Sequence, residues 1–177
     1  MMIRNYKRAV FPGRFQPFHT GHLEVVRWAL EHVEELIIVI GTAQESHTIV
    51  NPFTAGERIL MIKEALRWGK VDLGRIYIIP VPDILMNSVW PHYLKLFTPP
   101  FEAGVSRNPL VVRLFKEAGF GVLIPPAFER GVYSSTKIRK MIMSGDETWR
   151  KLVPPVVAEI IDSIDGVERI RSLLSGD

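Results

Sequence analysis

The sequence predicts an α/β protein: a mainly parallel sheet with helices on both faces and a helical C-terminal segment. Three observations carry that expectation. An apolar run ends at Ala9-Val10-Phe11; Leu23, Val26, Ala29 and Leu30 fall at helical spacing over residues 21–32; and Leu36-Ile37-Ile38-Val39-Ile40 is apolar throughout. A strand that is apolar at every position is covered on both faces, as the interior of a parallel sheet requires. Strand, helix and strand within about 35 residues form a βαβ unit, whose crossover is right-handed.

The first strand is expected over residues 6–11, broken by Pro12-Gly13, and the helix after it from Gly21 with Thr20 as its cap. Residues 42–53 read as an irregular polar connection. Thr54 and Glu57 have capping-box spacing and open a helix that runs to about Trp68, before Gly69. Ile76-Tyr77-Ile78-Ile79-Pro80 supplies a third strand, and residues 88–97 a short helix that Pro99-Pro100 follows. A weak strand is expected at 102–106, a helix at 109–118 with Pro109 in its first turn, and a fifth strand at 121–124. Helices over 137–143, 155–164 and 167–174 complete the chain, the last two capping the sheet edge or making a subunit contact. Trp28, Trp68 and Trp149 are expected as packing residues.

At 177 residues the chain fits one domain that buries about 70% of its extended surface. Its apolar content of 47% and charged content of 23% exclude a disordered chain. No stretch approaches the roughly 20 apolar residues that cross a bilayer. A secretory leader is not expected either, because the charged stretch 1–8 is followed by only three apolar residues. There is no cysteine, hence no disulfide or thiolate metal site, which fits a cytoplasmic location. The net charge of +3 leans toward anionic ligands, but basic residues are scattered and give no nucleic-acid footprint.

Gly13-Arg14-Phe15-Gln16-Pro17-Phe18-His19-Thr20-Gly21-His22 lies where a strand passes to a helix. The unpaired N–H groups and dipole at that helix start favour an anion, and Arg14 with two imidazoles offers donors for phosphate oxygens. His19 and His22 alone are too few for a protein metal site. Neither glycine-rich phosphate fingerprint is present, so side chains and a helix end have to hold the phosphates. Gly41, at the end of the next strand, can border the same pocket. Ser134-Ser135-Thr136-Lys137-Ile138-Arg139 forms a second hydroxyl-rich helix start, which either caps its helix or holds another phosphate with Arg139 one turn on. Two such starts fit a triphosphate. In the third segment, Asp83 and Asn87 flank a strand end and Trp90 is either core or a platform for a planar ligand.

The first of these segments resembles the H-x-G-H loop of the nucleotidylyltransferase superfamily, in the form of archaeal nicotinamide mononucleotide (NMN) adenylyltransferases. Tyr133-Ser134-Ser135-Thr136-Lys137-Ile138-Arg139 is similar to the superfamily's I-S-S-T-x-x-R signature, with Tyr133 in place of Ile. The likeness extends through Asn51-Pro52-Phe53-Thr54-Ala55-Gly56-Glu57-Arg58 and residues 83–90, and covers nearly the whole chain.

The resemblance implies a Rossmann-like nucleotidylyltransferase fold in a single domain, with an α/β core to about residue 130 and the second phosphate motif and C-terminal helices over 131–177. It implies transfer of AMP from ATP to the 5′-phosphate of NMN, giving NAD and pyrophosphate. His19, His22, Arg14 and Arg139 are the implied catalytic residues, and Phe11, Gly13, Gly41, Tyr133, Ser134, Ser135 and Thr136 further nucleotide contacts. Trp90 would stack on the nicotinamide ring, with Asn87 and Asp83 reading its carboxamide. Mg²⁺ is expected to enter with ATP. Small-molecule nucleotides are the expected partners, with neither nucleic acid nor membrane, in a homo-oligomer that is a hexamer in the related archaeal enzymes. The rival readings are a transferase of the same fold with a flavin, phosphopantetheine or CTP substrate, and a nucleotide-binding protein without catalysis.

Overall fold

A computed structural model of the chain describes residues 6–174. The charged stretch considered above as a leader lies outside them over residues 1–5. Five parallel strands form one sheet in the order β3-β2-β1-β4-β5: β1 Tyr6–Gly13, β2 Val33–Ile40, β3 Ile76–Pro80, β4 Ala103–Val105 and β5 Gly121–Leu123. The order reverses between β1 and β4, and a crevice opens there beyond the carboxyl ends of the strands.

Period-two alternation divides each central strand between the two faces. Ala9, Phe11, Leu36, Ile38 and Ile40 join one core, whereas Val10, Ile37 and Val39 join the other. The first core is roofed by α1 (Thr20–His32), α2 (Ala55–Trp68), α5 (Ser135–Ser144), α6 (Pro155–Ser163) and α7 (Gly166–Ser172). The second is covered by α3 (Trp90–Leu94) and α4 (Pro109–Glu117), with Leu94 and Phe115 fully buried. Every residue from Leu36 to Ile40 is inaccessible to solvent, as the unbroken apolar run requires.

Several elements depart from their expected bounds. Pro12 and Gly13 do not break β1, because they pair with Val39 and Ile40; in a parallel ladder alternate residues alone donate to a given neighbour, so a proline near the strand end is tolerated. Residues 87–89 form a 3₁₀ turn before the five-residue α3, in place of one longer helix. The two final helices pack on α2 and α5 over one face of the sheet instead of capping its edge. Trp149 is fully buried and Trp28 half-buried, but Trp68 is 52% exposed at the last turn of α2, where the helix turns its side toward solvent. Among the described residues no helix is long and apolar enough to cross a membrane.

α2 opens on the expected capping box: Glu57 N–H donates to Thr54 Oγ1 at 3.1 Å and Thr54 N–H to Glu57 Oε2 at 2.9 Å. Arg169 of α7 donates twice to the same carboxylate, at 2.7 and 2.8 Å, and fastens the C-terminal helix to this corner.

Candidate active site

The loop after β1 is held from beneath. Phe15 takes a left-handed backbone, φ 52°, and buries its ring against Gly13, where a β-carbon would lie 2.7 Å from the ring's Cζ. The buried Gln16 amide pairs with both main-chain groups of Phe53, each at 2.9 Å, and the peptide bond to Pro17 is cis. Arg14 is exposed at the rim of the loop.

The cap of α1 is His19, not Thr20. His19 Nδ1 accepts from His22 N–H at 3.3 Å, and His22 Nδ1 accepts from His19 N–H at 3.1 Å, so two imidazoles form a capping box. The rings stack 3.5 Å apart at 16°. An accepting Nδ1 carries no proton, which places the hydrogen of each neutral ring on Nε2 and leaves that N–H for a ligand. Burial pushes the His19 pKa down to about 3, and burial together with His19 holds His22 well below its ordinary value. Thr20 begins the helix proper. Gly21 is sterically required: a β-carbon there would stand 2.9 Å from Tyr133 Cβ and 3.0 Å from His19 Cε1.

The start of α5 docks on this loop from across the sequence. Ser134 caps the helix, its Oγ accepting from Lys137 N–H at 3.4 Å, and Ser135 Oγ donates to Pro17 O at 2.9 Å. Arg139 is buried and donates to Gln16 O at 2.9 Å and to Thr136 Oγ1 at 3.3 Å. Burial, and then the charge of Arg14, lower its pKa. Thr136 and Lys137 are exposed.

Two cavities flank Arg14. One, of about 380 Å³, is lined by Phe11, His19, His22, Tyr133, residues 134–136 and Arg139, and among the described residues carries no carboxylate on its wall. The other, of about 410 Å³, is lined by Gly13, Gly41, Thr42, Asp83, Asn87 and Trp90. Arg14, Ser106 and Asn108 border both. A β-carbon at Gly41 would meet only Gly13 O, at 3.7 Å, so that strand end is open toward the cavity. Thr42, in a left-handed conformation with φ 49°, donates through Oγ1 to Asp83 Oδ2 at 2.7 Å, and Asp83 N–H donates to Gln44 Oε1 at 3.1 Å. Trp90 is half-buried, edge-to-face on Phe115 with centroids 5.7 Å apart, and shows its remaining surface to the cavity; Asn87 stands exposed beside it.

The structure thus brings the expected catalytic and nucleotide-contacting residues around one crevice, in two groups that meet at Arg14, whereas Lys137 and the segment 51–58 lie outside its lining. Sequence reading missed Ser106, Arg107, Asn108 and Arg130, which line the same crevice after β4 and β5. Their signal is a position just beyond strand ends, and it becomes readable only when the strand order places β4 beside β1. Among the described residues no three His, Asp or Glu side chains gather in a way that could hold a metal ion.

The arrangement has close counterparts. A cytidylyltransferase-like family model matches residues 10–141. A nicotinamide-nucleotide adenylyltransferase of Saccharolobus solfataricus is 56% identical over 170 residues, covering 96% of this chain and 98% of that protein. Another, of Ignicoccus hospitalis, is 57% identical, covering 96% and 99%. Among solved structures, a bifunctional NMN adenylyltransferase/ADP ribose pyrophosphatase of Francisella tularensis, complexed with AMP and a manganese ion, superposes with a TM-score of 0.70 at 24% identity. It covers 96% of this chain, which spans about half (52%) of that one, and at such identity the likeness concerns the fold. With motifs, crevice and near full-length relatives in agreement, the chain belongs to the cytidylyltransferase-like family and, within it, to the nicotinamide-nucleotide adenylyltransferases.

Proposed function

We propose that the chain transfers AMP from ATP to the 5′-phosphate of NMN by direct in-line attack, forming NAD and pyrophosphate, with ATP in the donor-lined cavity and NMN in the one that holds Trp90. The observation that carries this assignment is the meeting of the two cavities at Arg14, where a guanidinium can bridge the phosphates of both nucleotides.

The reaction needs no protein nucleophile. A phosphate monoester, with a second pKa near 6, is largely ionised at neutral pH. The protein's task is to align it with the α-phosphorus opposite the leaving pyrophosphate and to receive charge on the leaving oxygens. Alignment supplies several kcal/mol, and each fixed donor about 3 kcal/mol. The neutral Nε2–H groups of His19 and His22 are such donors, with the capping box fixing their direction. His22 is assigned the charge that develops during transfer. The hydroxyls of Ser134 and Thr136, whose oxygens accept in the fold and leave their protons for a ligand, hold the β and γ groups with Arg139, while Ser135, its hydroxyl bound to Pro17 O, fixes the helix start against the first loop.

Magnesium would enter as a companion of ATP. With guanidinium, imidazole and hydroxyl groups around it and no carboxylate among the described residues of the wall, a divalent ion in this cavity would be held by phosphate oxygens and would supply positive charge to offset theirs. On the acceptor side, the indole stacks on the pyridine ring while Asn87 and the Thr42-anchored Asp83 read its carboxamide.

The direct test is product formation from ATP or CTP with NMN, flavin mononucleotide and phosphopantetheine in turn. NAD and pyrophosphate from ATP and NMN are expected. Turnover with another acceptor and none with NMN rejects the proposal.

A further inference from the structure

One part of the sequence likeness, the segment from Asn51 to Arg58, finds no use in the chemistry above. Arg58 lies in the first turn of α2, wholly buried, and its hydrogen bonds all end on main-chain carbonyls. Nε donates to Thr54 O (3.3 Å), Nη1 to Arg14 O and Gly41 O (2.9 Å each), and Nη2 to Thr42 O (3.1 Å) and Glu45 O (3.5 Å). All five N–H donors of the guanidinium are thereby engaged. Arg14 is, with Ser106 and Asn108, one of the residues that border both cavities, and Gly41 and Thr42 line the second. Thr42 is β-branched and left-handed, a conformation that is unfavourable unless its surroundings impose it. Its carbonyl is drawn inward by Arg58, while its hydroxyl holds the Asp83 carboxylate.

We propose that Arg58 is a positioning residue that sets the two substrate loops in register, clamping the carbonyls of Arg14 on one side and of Gly41 and Thr42 on the other. It touches no substrate. Through Arg14 it aims the bridging guanidinium, and through Thr42 it aims Asp83, so loosening it degrades both substrate sites together. An ammonium, a point charge with three donors, cannot span the same carbonyls.

The inference rests on the adenylyl-transfer reading for its choice of substrates. Its test compares Arg58→Lys and Arg58→Met with Val157→Ala, a core truncation on α6 outside both loops. Arg58→Lys is expected to fold, to lower kcat roughly tenfold or more and to raise KM for both ATP and NMN, since small misalignments are costly when two reactants have to meet in line. Arg58→Met should lose more, and Val157→Ala should lower Tm with kcat and both KM values retained. An Arg58→Lys enzyme with unaltered kcat and KM values overturns the proposal. So does loss of activity in step with Tm across all three variants, or failure of both Arg58 variants to fold, which would make the guanidinium an element of the fold alone. Wild-type protein inactive with ATP and NMN would sink the transfer reading instead; calorimetric binding of each nucleotide to wild type and Arg58→Lys then still decides the positioning role, with equal affinities overturning it.

Discussion

Replacing His22 by Ala has three effects that the geometry separates. The first is loss of the Nε2–H donor, which is assigned to charge on the leaving group; a donor of that kind accounts for about 3 kcal/mol, or roughly 10²-fold in kcat. The second is loss of the acceptor for His19 N–H, at 3.1 Å, which costs about 1 kcal/mol as any cap does. Third, the missing ring opens space beside Phe15 and Phe18, whose centroids lie 4.8 and 5.3 Å away, for about 1 kcal/mol more. Together these predict a fall in Tm of roughly 5 °C for a chain of this size, alongside the 10²-fold loss of kcat. Gln at this third helical position restores a capping acceptor without the imidazole, so His22→Gln should recover most of the stability but not the turnover. Thermal melts and steady-state NAD formation at saturating ATP and NMN make the comparison. A kcat for His22→Ala within about threefold of wild type, or full recovery of kcat with Tm in His22→Gln, would show that the ring is a cap and nothing more.

Trp90→Ala should weaken NMN binding by about 1–3 kcal/mol, the worth of one aromatic platform, and leave ATP affinity nearly unchanged; equal NMN affinity by calorimetry removes the stacking assignment. Both histidines should remain neutral Nε2–H tautomers in long-range ¹⁵N NMR spectra well below pH 6.5. Because their folded pKa values are depressed, to about 3 for His19, they contribute stability that is complete above pH 6.5 and is lost as pH falls toward 3; either ring titrating near 6.5 contradicts the buried capping box. Hydrogen bonds from Arg169 hold the Glu57 carboxyl below its usual 4.5, so this pair stabilises the fold above that pH and ceases to do so as acid protonates it. Arg169→Leu should therefore cost about 2 kcal/mol in urea unfolding at pH 7 and much less in strong acid, and a loss independent of pH would refute the coupling.

Much of the fold could be read from the chain because its signals are local. The capping box at Thr54 and Glu57 is a matter of three-residue spacing, and the Leu36–Ile40 run states its own burial on both faces. Where propensity rules misled, a particular contact or the orientation of the element had decided the outcome. Thr20 is the better capper by propensity, yet His19 caps, since its ring and that of His22 accept each other's N–H groups. Trp68 fits a helical stripe but turns outward, and Pro12 stays in a strand because Val39 is there to pair with it.

The sequence by itself determined the strand and helix types, because periodicity and short spacings are written within a few turns of chain, and it pointed to the family through the likeness of the segments 13–22 and 133–139. Only the tertiary structure decided that Ser135 and Arg139 bond to the carbonyls of Pro17 and Gln16, that β4 lies beside β1 with Ser106 and Asn108 at its end, and that Arg58 ties together the loops after β1 and β2. Those contacts join residues separated by up to 123 positions. A carbonyl is the same acceptor whatever side chain it follows, so which one a buried guanidinium finds is set by the path of the folded main chain.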